Sequence, residues 1–337
     1  MQSQTEPRSI DNGHSADEGG NWSRSGWTNA IAFEPVPTCY VCASTAHTPA
    51  FKLSFFDQTF QWVRCSDCGL VFQSPRLTKS SLDLIYNSEL YWRGHSDAAQ
   101  PPADNTDELR LGYNNYEMGH PYRLAQAGQR VQALSRHVPS GSRILEVGCA
   151  AGFFLSALKK AGYQGTGIEL SAAMADYGRS RLAVDIQVGD FDHLEIPPGS
   201  YDGIAAWGCD SNFHDVRKTY SHMVEALRPG GILAFNYFDF DHPARLLLGS
   251  FKRVYNAIYY FNRRNVARLL TSLDLEIVSH SIEFQYTCLE EVASMTGRPG
   301  VRTLAGALGI ERRMLRLPIL GSYLLVARKV AKSSKRS

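Results

Sequence analysis

Apolar residues recur along this chain with two periods, and the switches between them mark out its elements. Ile144, Leu145 and Val147 form a short apolar run, and Phe154, Leu155 and Leu158 follow with helical spacing before Gly162. Side chains alternate across a strand and return every 3.6 residues on a helix, so this stretch predicts a strand, a glycine-bearing turn and a helix. Bounded apolar runs predict further strands at 165–170, 185–190, 201–208 and 227–238, and two more at 275–286 and 319–328. Leu124, Val131 and Leu134 predict a helix ahead of the first of these strands, and another helix is expected from about Asp215. Strands interleaved with helices predict an α/β fold: a Rossmann-like, seven-stranded sheet with helices on both faces. Such sheets bind ligands at the carboxyl ends of their strands, beside helix N-termini. Glu146, Gly148 and Gly152 occupy that position, and the two glycines let a ligand approach the backbone closely.

Composition changes this picture little. The chain has 337 residues, 44% of them hydrophobic, and a formal net charge of +2. That length suits two domains, and nothing global marks a nucleic-acid binder. Seven cysteines, an odd number, point to reduced thiols or metal ligands and a cytoplasmic setting. The longest apolar candidate for a membrane span, 317–327, would reach only about 16 Å as a helix against roughly 30 Å of hydrocarbon. The expected organisation is a disordered tail at 1–37, a small cysteine-bearing module at 38–92 and a linker or lid at 93–120. The main domain follows at 121–330, with a basic and aromatic cap at 241–273, and a basic tail ends the chain at 331–337.

Cys39-x-x-Cys42 and Cys65-x-x-Cys68 are separated by twenty-two residues. Two such pairs can present four thiolates tetrahedrally, the ligand set of a structural Zn2+; the bland alternative is four buried free thiols. A shell of four thiolates is closed, so this metal would not be catalytic.

Residues 143–152 read RILEVGCAAG and resemble the first motif of the class I S-adenosylmethionine (SAM) methyltransferases, E/D-x-G-x-G-x-G, with Ala150 at the middle glycine. Gly148-x-x-x-Gly152 does not spell the G-x-G-x-x-G of a nicotinamide-nucleotide site. The later strings fall in that family's order: Glu169 twenty-three residues beyond Glu146, Gly189-Asp190, Tyr201-Asp202, and ALRPGG before the fifth strand. The resemblance implies SAM bound by Glu146, Gly148, Cys149, Gly152, Leu170 and Trp207. It also implies Glu169 on the ribose, Asp190 on the adenine amine and Phe191 beside the ring. The flank of the cysteine module, with CGLVF-x-x-PR and a downstream Tyr91-Trp92, resembles the zinc-binding module of bacterial methyltransferases that modify sugars and natural products.

Methyl transfer from a sulfonium is a direct displacement, so alignment supplies much of the rate, on the order of 7–11 kcal/mol at best. A hydroxyl acceptor also gains from a base, typically about 10²–10⁴-fold. His214, after the fourth strand, is the first candidate; Asp210, Asp215, Tyr237 and Asp239 are the others. The family's frequent Glu-His pair is replaced here by Ser211 and Asn212, and its His before an aromatic run by Ala257. The expected activity is methyl transfer to a polar small molecule, with O-methylation favoured over C- or N-methylation. A hydroxyl of a sugar, glycan or natural-product intermediate is the expected target. The basic segment 244–273, with Arg263 and Arg264 at a helix start, suggests a phosphate-bearing acceptor or peripheral contact with a membrane. The alternatives are an RNA methyltransferase and a SAM-binding scaffold whose ribbon serves for docking. Nucleic acid is disfavoured, since Cys39 to Cys68 contains only Lys52 and Arg64 as basic residues.

Overall fold

The computed structural model describes residues 30–55, 58–88, 91–92, 120–209, 211–243, 257–288, 307, 309 and 313–331. Of the tail expected at 1–37, residues 1–29 lie outside the described residues, as do 93–119 of the linker or lid expected at 93–120, Asp210 and 244–256; residues 30–37 are ordered instead, with Phe33–Glu34 in a strand and Ile31 and Val36 buried. Among those residues the main body is a seven-stranded sheet in the order β12-β13-β10-β9-β6-β7-β8. Its strands are β6 (Arg143–Val147), β7 (Gln164–Glu169), β8 (Asp185–Val188), β9 (Tyr201–Ala206), β10 (Leu227–Phe238), β12 (Leu275–Cys288) and β13 (Met314–Lys329). The first five run parallel, while β13 is antiparallel to both β10 and β12. From β6 the chain steps outward through β7 to β8, then returns to β9 on the other side. This reversal opens a crevice at the carboxyl ends of β6 and β9, where open α/β sheets take their ligands.

Central strands must be apolar on both faces, and Ile144, Leu145, Ile204, Leu233 and Phe235 are all buried. On one face lie α2 (His120–Ser135) and α3 (Phe153–Lys160), packed against each other. The opposite face holds α5 (Val216–Ala226), whose Tyr220 meets Phe235 edge-on at 5.3 Å, and α6 (Arg263–Ser272), which packs on β12. Asp215 caps α5 through Lys218 N, and Ser171 caps the short α4 (Ala172–Tyr177) through Met174 N.

Before this body come β1 (Phe33–Glu34), β2 (His47–Phe55), β3 (Gln58–Cys65), β4 (Val71–Gln73), β5 (Arg76–Leu77) and α1 (Lys79–Asn87). Strands β2, β3 and β4 form an antiparallel ribbon, and its fourth strand is β11 (Tyr259–Tyr260), from the segment expected to be a cap. Trp62 Nε1 donates to Ala257 O at 3.0 Å, and Gln73 N donates to Ile258 O at 2.7 Å, so the join is buried and hydrogen-bonded. Tyr259 and Phe261 are buried in this seam, which accounts for the aromatic run at that position.

Candidate active site

The turn after β6 is built from backbone that most residues avoid. Gly148 and Gly152 have φ of 69° and 73°, in the left-handed region that glycine enters without penalty. Gly148 lies on the crevice wall, and a Cβ there would stand 3.1 Å from Cys209 Sγ. Gly152 turns inward instead: a Cβ would meet Val184 Cγ2 at 2.8 Å, so this glycine permits packing beneath the turn and does not line the cavity. Ala150, where the motif has glycine, also takes a positive φ of 47°. The turn tolerates this because Ala150 N donates to Glu169 Oε2 at 2.7 Å, while Glu169 Oε1 accepts from Ser171 N at 2.9 Å.

A cavity of about 510 Å³ opens above this turn. Glu146, Gly148, Cys149, Glu169, Leu170, Asp190, Phe191 and Trp207 all line it, as expected from the sequence. Burial pushes the Glu146 carboxyl well above its ordinary range, partly opposed by the charge of Arg130, and its Oε2 has no hydrogen-bond partner. Burial also raises Glu169, against the pull of the Ser171 and Ala150 N–H groups. Asp190 behaves differently. Burial would raise it, but the Asp192 N–H and the ammonium of Lys79, 3.1 Å from Oδ2, hold it below the usual range. Lys79 belongs to α1, so the N-terminal module reaches the cavity with a charge. Phe191 is buried with its ring centroid 4.5 Å from that of His222.

Sequence reasoning missed a cluster on the same wall. Glu283, 2% exposed, accepts from Gln126 Nε2 (3.0 Å), Arg130 (3.1 Å), Asn236 Nδ2 (3.0 Å) and Ser322 Oγ (2.7 Å). The Arg130 guanidinium lies 5.1 Å from the centroid of the Trp207 ring. Arg130 Nε and Trp207 Nε1 are buried and unpartnered. A signal existed on α2, where Arg123, Gln126 and Arg130 recur at i, i+3 and i+7 and so share one face.

His214 does not reach the cavity. Its Nε2 lies 2.9 Å from Glu34 Oε1, its carbonyl accepts from Arg76, and burial together with Arg76 lowers its pKa. Tyr237 OH is paired with His280 Nε2 at 3.0 Å on the opposite face of the sheet, Asp239 Oδ1 accepts from Asp241 N, and Asp215 is spent on the α5 cap. Arg263 and Arg264 are likewise committed. Arg263 stacks 4.9 Å from the Tyr323 ring centroid, and Arg264 donates to Asp67 O beside the second cysteine pair. Both act as struts between packed segments, because an exposed guanidinium gains more from a fixed carbonyl or ring than from water alone.

The four cysteines do converge. The Sγ atoms of Cys39, Cys42, Cys65 and Cys68 all lie within 4.8 Å of one another, with Cys39–Cys68 and Cys42–Cys65 each at 3.5 Å. Tetrahedral bonds of about 2.3 Å to zinc would set sulfurs about 3.8 Å apart. The hydrogen bond from the Cys39 thiol is the main cause that brings Cys68 down to about 5. Arg217 clamps the first knuckle by donating to Tyr40 O and Val41 O.

A family model described as a methyltransferase domain matches residues 118–280. Malonyl-[acyl-carrier protein] O-methyltransferase of Yersinia pestis is 31% identical over 125 residues, covering 36% of this chain and 42% of that protein. Demethylmenaquinone methyltransferase of Tropheryma whipplei is 27% identical over 191 residues, 52% of this chain and 76% of the relative. The dTDP-4-amino-2,3,4,6-tetradeoxy-D-glucose N,N-dimethyltransferase of Saccharopolyspora spinosa is 26% identical over 171 residues, 49% of this chain and 66% of the relative. The chain thus spans less than half the length of the first of these proteins.

Proposed function

We propose, from the premise that the chain belongs through residues 118–280 to the class I SAM-dependent methyltransferases, that it methylates a hydroxyl of a small-molecule acceptor. The observation that carries this reading is that three of the unpartnered buried atoms lining one cavity include both an acceptor and two donors. Glu146 Oε2 is an acceptor, while Arg130 Nε and Trp207 Nε1 are donors. A buried polar atom without a partner costs about 1–3 kcal/mol, so the cavity suits a ligand that carries both a cation and an anion. The α-ammonium and α-carboxylate of SAM supply that pair. Glu169 and Asp190 would hold the ribose and the adenine amine, each carboxylate keeping lone pairs beyond its backbone contacts.

Bound SAM would supply an activated methyl group on a sulfonium. The chain's own part is to align and to exclude water. Glu283 fixes Arg130, Gln126, Asn236 and Ser322 in one network, and Asn236 Oδ1 in turn accepts from Gly208 N at 2.7 Å. A preorganised wall of this kind avoids ordering side chains at the moment of reaction. The four cysteines would hold zinc structurally, since their thiolates close its shell. The acceptor is a natural-product, sugar or glycan intermediate, on the resemblance of the module's flank. The scaffold alternative, with the ribbon as a docking module, would have to use the edge of β2, since β11 pairs with β4. Calorimetric titration with SAM, followed by methyl-transfer assays over acceptor classes, tests the reading. Failure to bind SAM while binding NAD would overturn it.

A further inference from the structure

We propose that the acceptor is an uncharged planar ring bearing a hydroxyl, of phenol or naphthol type, and that the N-terminal module supplies the wall that selects it. The inference rests on the methyl-transfer reading above and narrows its acceptor class to aromatic natural-product hydroxyls, setting sugars and glycans aside.

The cavity wall away from the glycine turn is aromatic. Tyr86 lies at the end of α1, with Tyr91 and Trp92 just beyond it, and their rings meet edge-on at 5.1 and 5.0 Å. Trp92 Nε1 donates to Tyr86 O at 2.7 Å, which fixes the corner. Tyr122 of α2, Phe238 of β10 and Tyr286 of β12 continue the surface. Rings held in fixed edge-to-face contact offer a flat guest large apolar area with little side-chain ordering to be done on binding.

The Glu283 cluster on this side is largely occupied within itself. Glu283 takes four donors, Gln126 Oε1 accepts from Tyr286 N at 3.2 Å, and Asn236 is bonded through both ends of its amide. A sugar would bring several hydroxyls into this wall and leave most of them unpaired, whereas a phenol brings one or two. Charge points the same way. Among the described lining residues, the acids Glu169, Asp190, Asp192 and Glu283 outnumber Arg123 and Arg130, and Arg130 is already paired with Glu283 at 3.1 Å, which disfavours a phosphate.

The chemistry is consistent with this occupant. A phenol ionises near pH 10, as tyrosine does, and far more readily than a sugar alcohol, so it needs less help from a base. His214, held at Glu34, would give none. The phenolic proton leaves to solvent water and the oxygen attacks the methyl carbon. The O–C bond forms as the C–S bond breaks, and the electron pair stays on sulfur, releasing S-adenosylhomocysteine.

The test uses the zinc-loaded full chain saturated with S-adenosylhomocysteine, with 2-naphthol as a fluorescent probe and glucose 1-phosphate and methyl glucoside as competitors. The expected result is saturable 2-naphthol binding that neither competitor displaces, and 2-methoxynaphthalene as product when SAM replaces the homocysteine form. Trp92→Leu should weaken 2-naphthol about tenfold, and Tyr122→Ala, on a different element, should also weaken it, with SAM affinity kept within about twofold. Displacement by glucose 1-phosphate or methyl glucoside, or 2-naphthol binding indifferent to both substitutions, would overturn the proposal. A wild-type protein that binds SAM but not 2-naphthol defeats this inference alone. One that binds no SAM defeats the underlying reading.

Discussion

On the side of the cavity next to the glycine turn, Glu146, Gly148, Glu169 and Asp190 each sit at or within two residues of the strand end that positions them. On the other side, Trp92, Arg130, Asn236 and Glu283 come from a module turn, a helix and two strands far apart in the chain. The first half is set by local backbone, so it needs only that β6, β7 and β8 lie side by side. The second half needs distant elements to assemble, α2 with β10, β12 and β13, and its Trp92 needs the N-terminal module as well. Damage to the ribbon should therefore act unequally on the two halves.

The largest expected effect comes from the cysteines. With zinc held by the four cysteines as proposed, Cys65→Ser or a chelator should cost about 5 kcal/mol or more, since a structural zinc site supplies folding energy directly. Hydrogen exchange should then rise together at β3, β4 and β11, because Tyr259 and Tyr260 pair with Phe72 and Val71. The amides of β6 and β7 should stay protected longer. Unchanged protection at β11 in the cysteine variant would show the two halves to be independent after all.

Next are the carboxylates beside the glycine turn, which the proposed function assigns to SAM. Glu169→Ala should weaken SAM by about 1.5–3 kcal/mol, the scale of hydrogen bonds to a charged group, as read by calorimetry. Glu146→Gln should weaken SAM similarly while leaving the free protein as stable or more so at pH 7. The sign follows from linkage. With its folded pKa raised above the ordinary 4.5, Glu146 keeps a proton in the folded state that the unfolded chain has released. Stability of the free protein therefore falls as pH rises from about 4.5 through the folded value, and the glutamine variant should lose that slope in urea melts at stepped pH.

A smaller, opposite case is Asp190. Lys79 helps hold it ionised, so the stability it contributes is present above its ordinary 3.8 and is lost as pH falls through the lower folded value. Lys79→Met should shrink that acid-side loss. The smallest effect is expected at Ala150. Its φ of 47° costs a residue with a Cβ about 1 kcal/mol, so Ala150→Gly should stabilise the turn by up to that amount in urea melts. SAM affinity should not change.

The same contrast explains what could be read before the fold was seen. The strands, the turn around Gly148, the acids at 169 and 190 and the paired cysteines are signalled by residues within a few positions of one another. Glu283 gave no such sign: in β12 it reads as one more polar residue in an alternating strand, and only the approach of α2 makes it a hub. His214 and Arg264 misled for the matching reason. Their types suit catalysis and anion binding, but their partners, Glu34 and Asp67 O, lie far back in the chain and no local pattern announces them. Gly152 is a further case: the motif suggests a ligand against its backbone, whereas the space a Cβ would take is filled by Val184.

The completion of the ribbon by β11 also sets a clock on the nascent chain. Trp62 and Ala257, joined by a hydrogen bond, are separated by 195 positions. At about 5–20 residues per second of synthesis, the ribbon waits roughly 10–40 s for its last strand. Until then the edge of β4 is unpaired and Trp62 lacks its acceptor, so the newborn module is open to pairing with other strands. A bound metal at the four cysteines would add a tie to the β2–β3–β4 ladder during that interval.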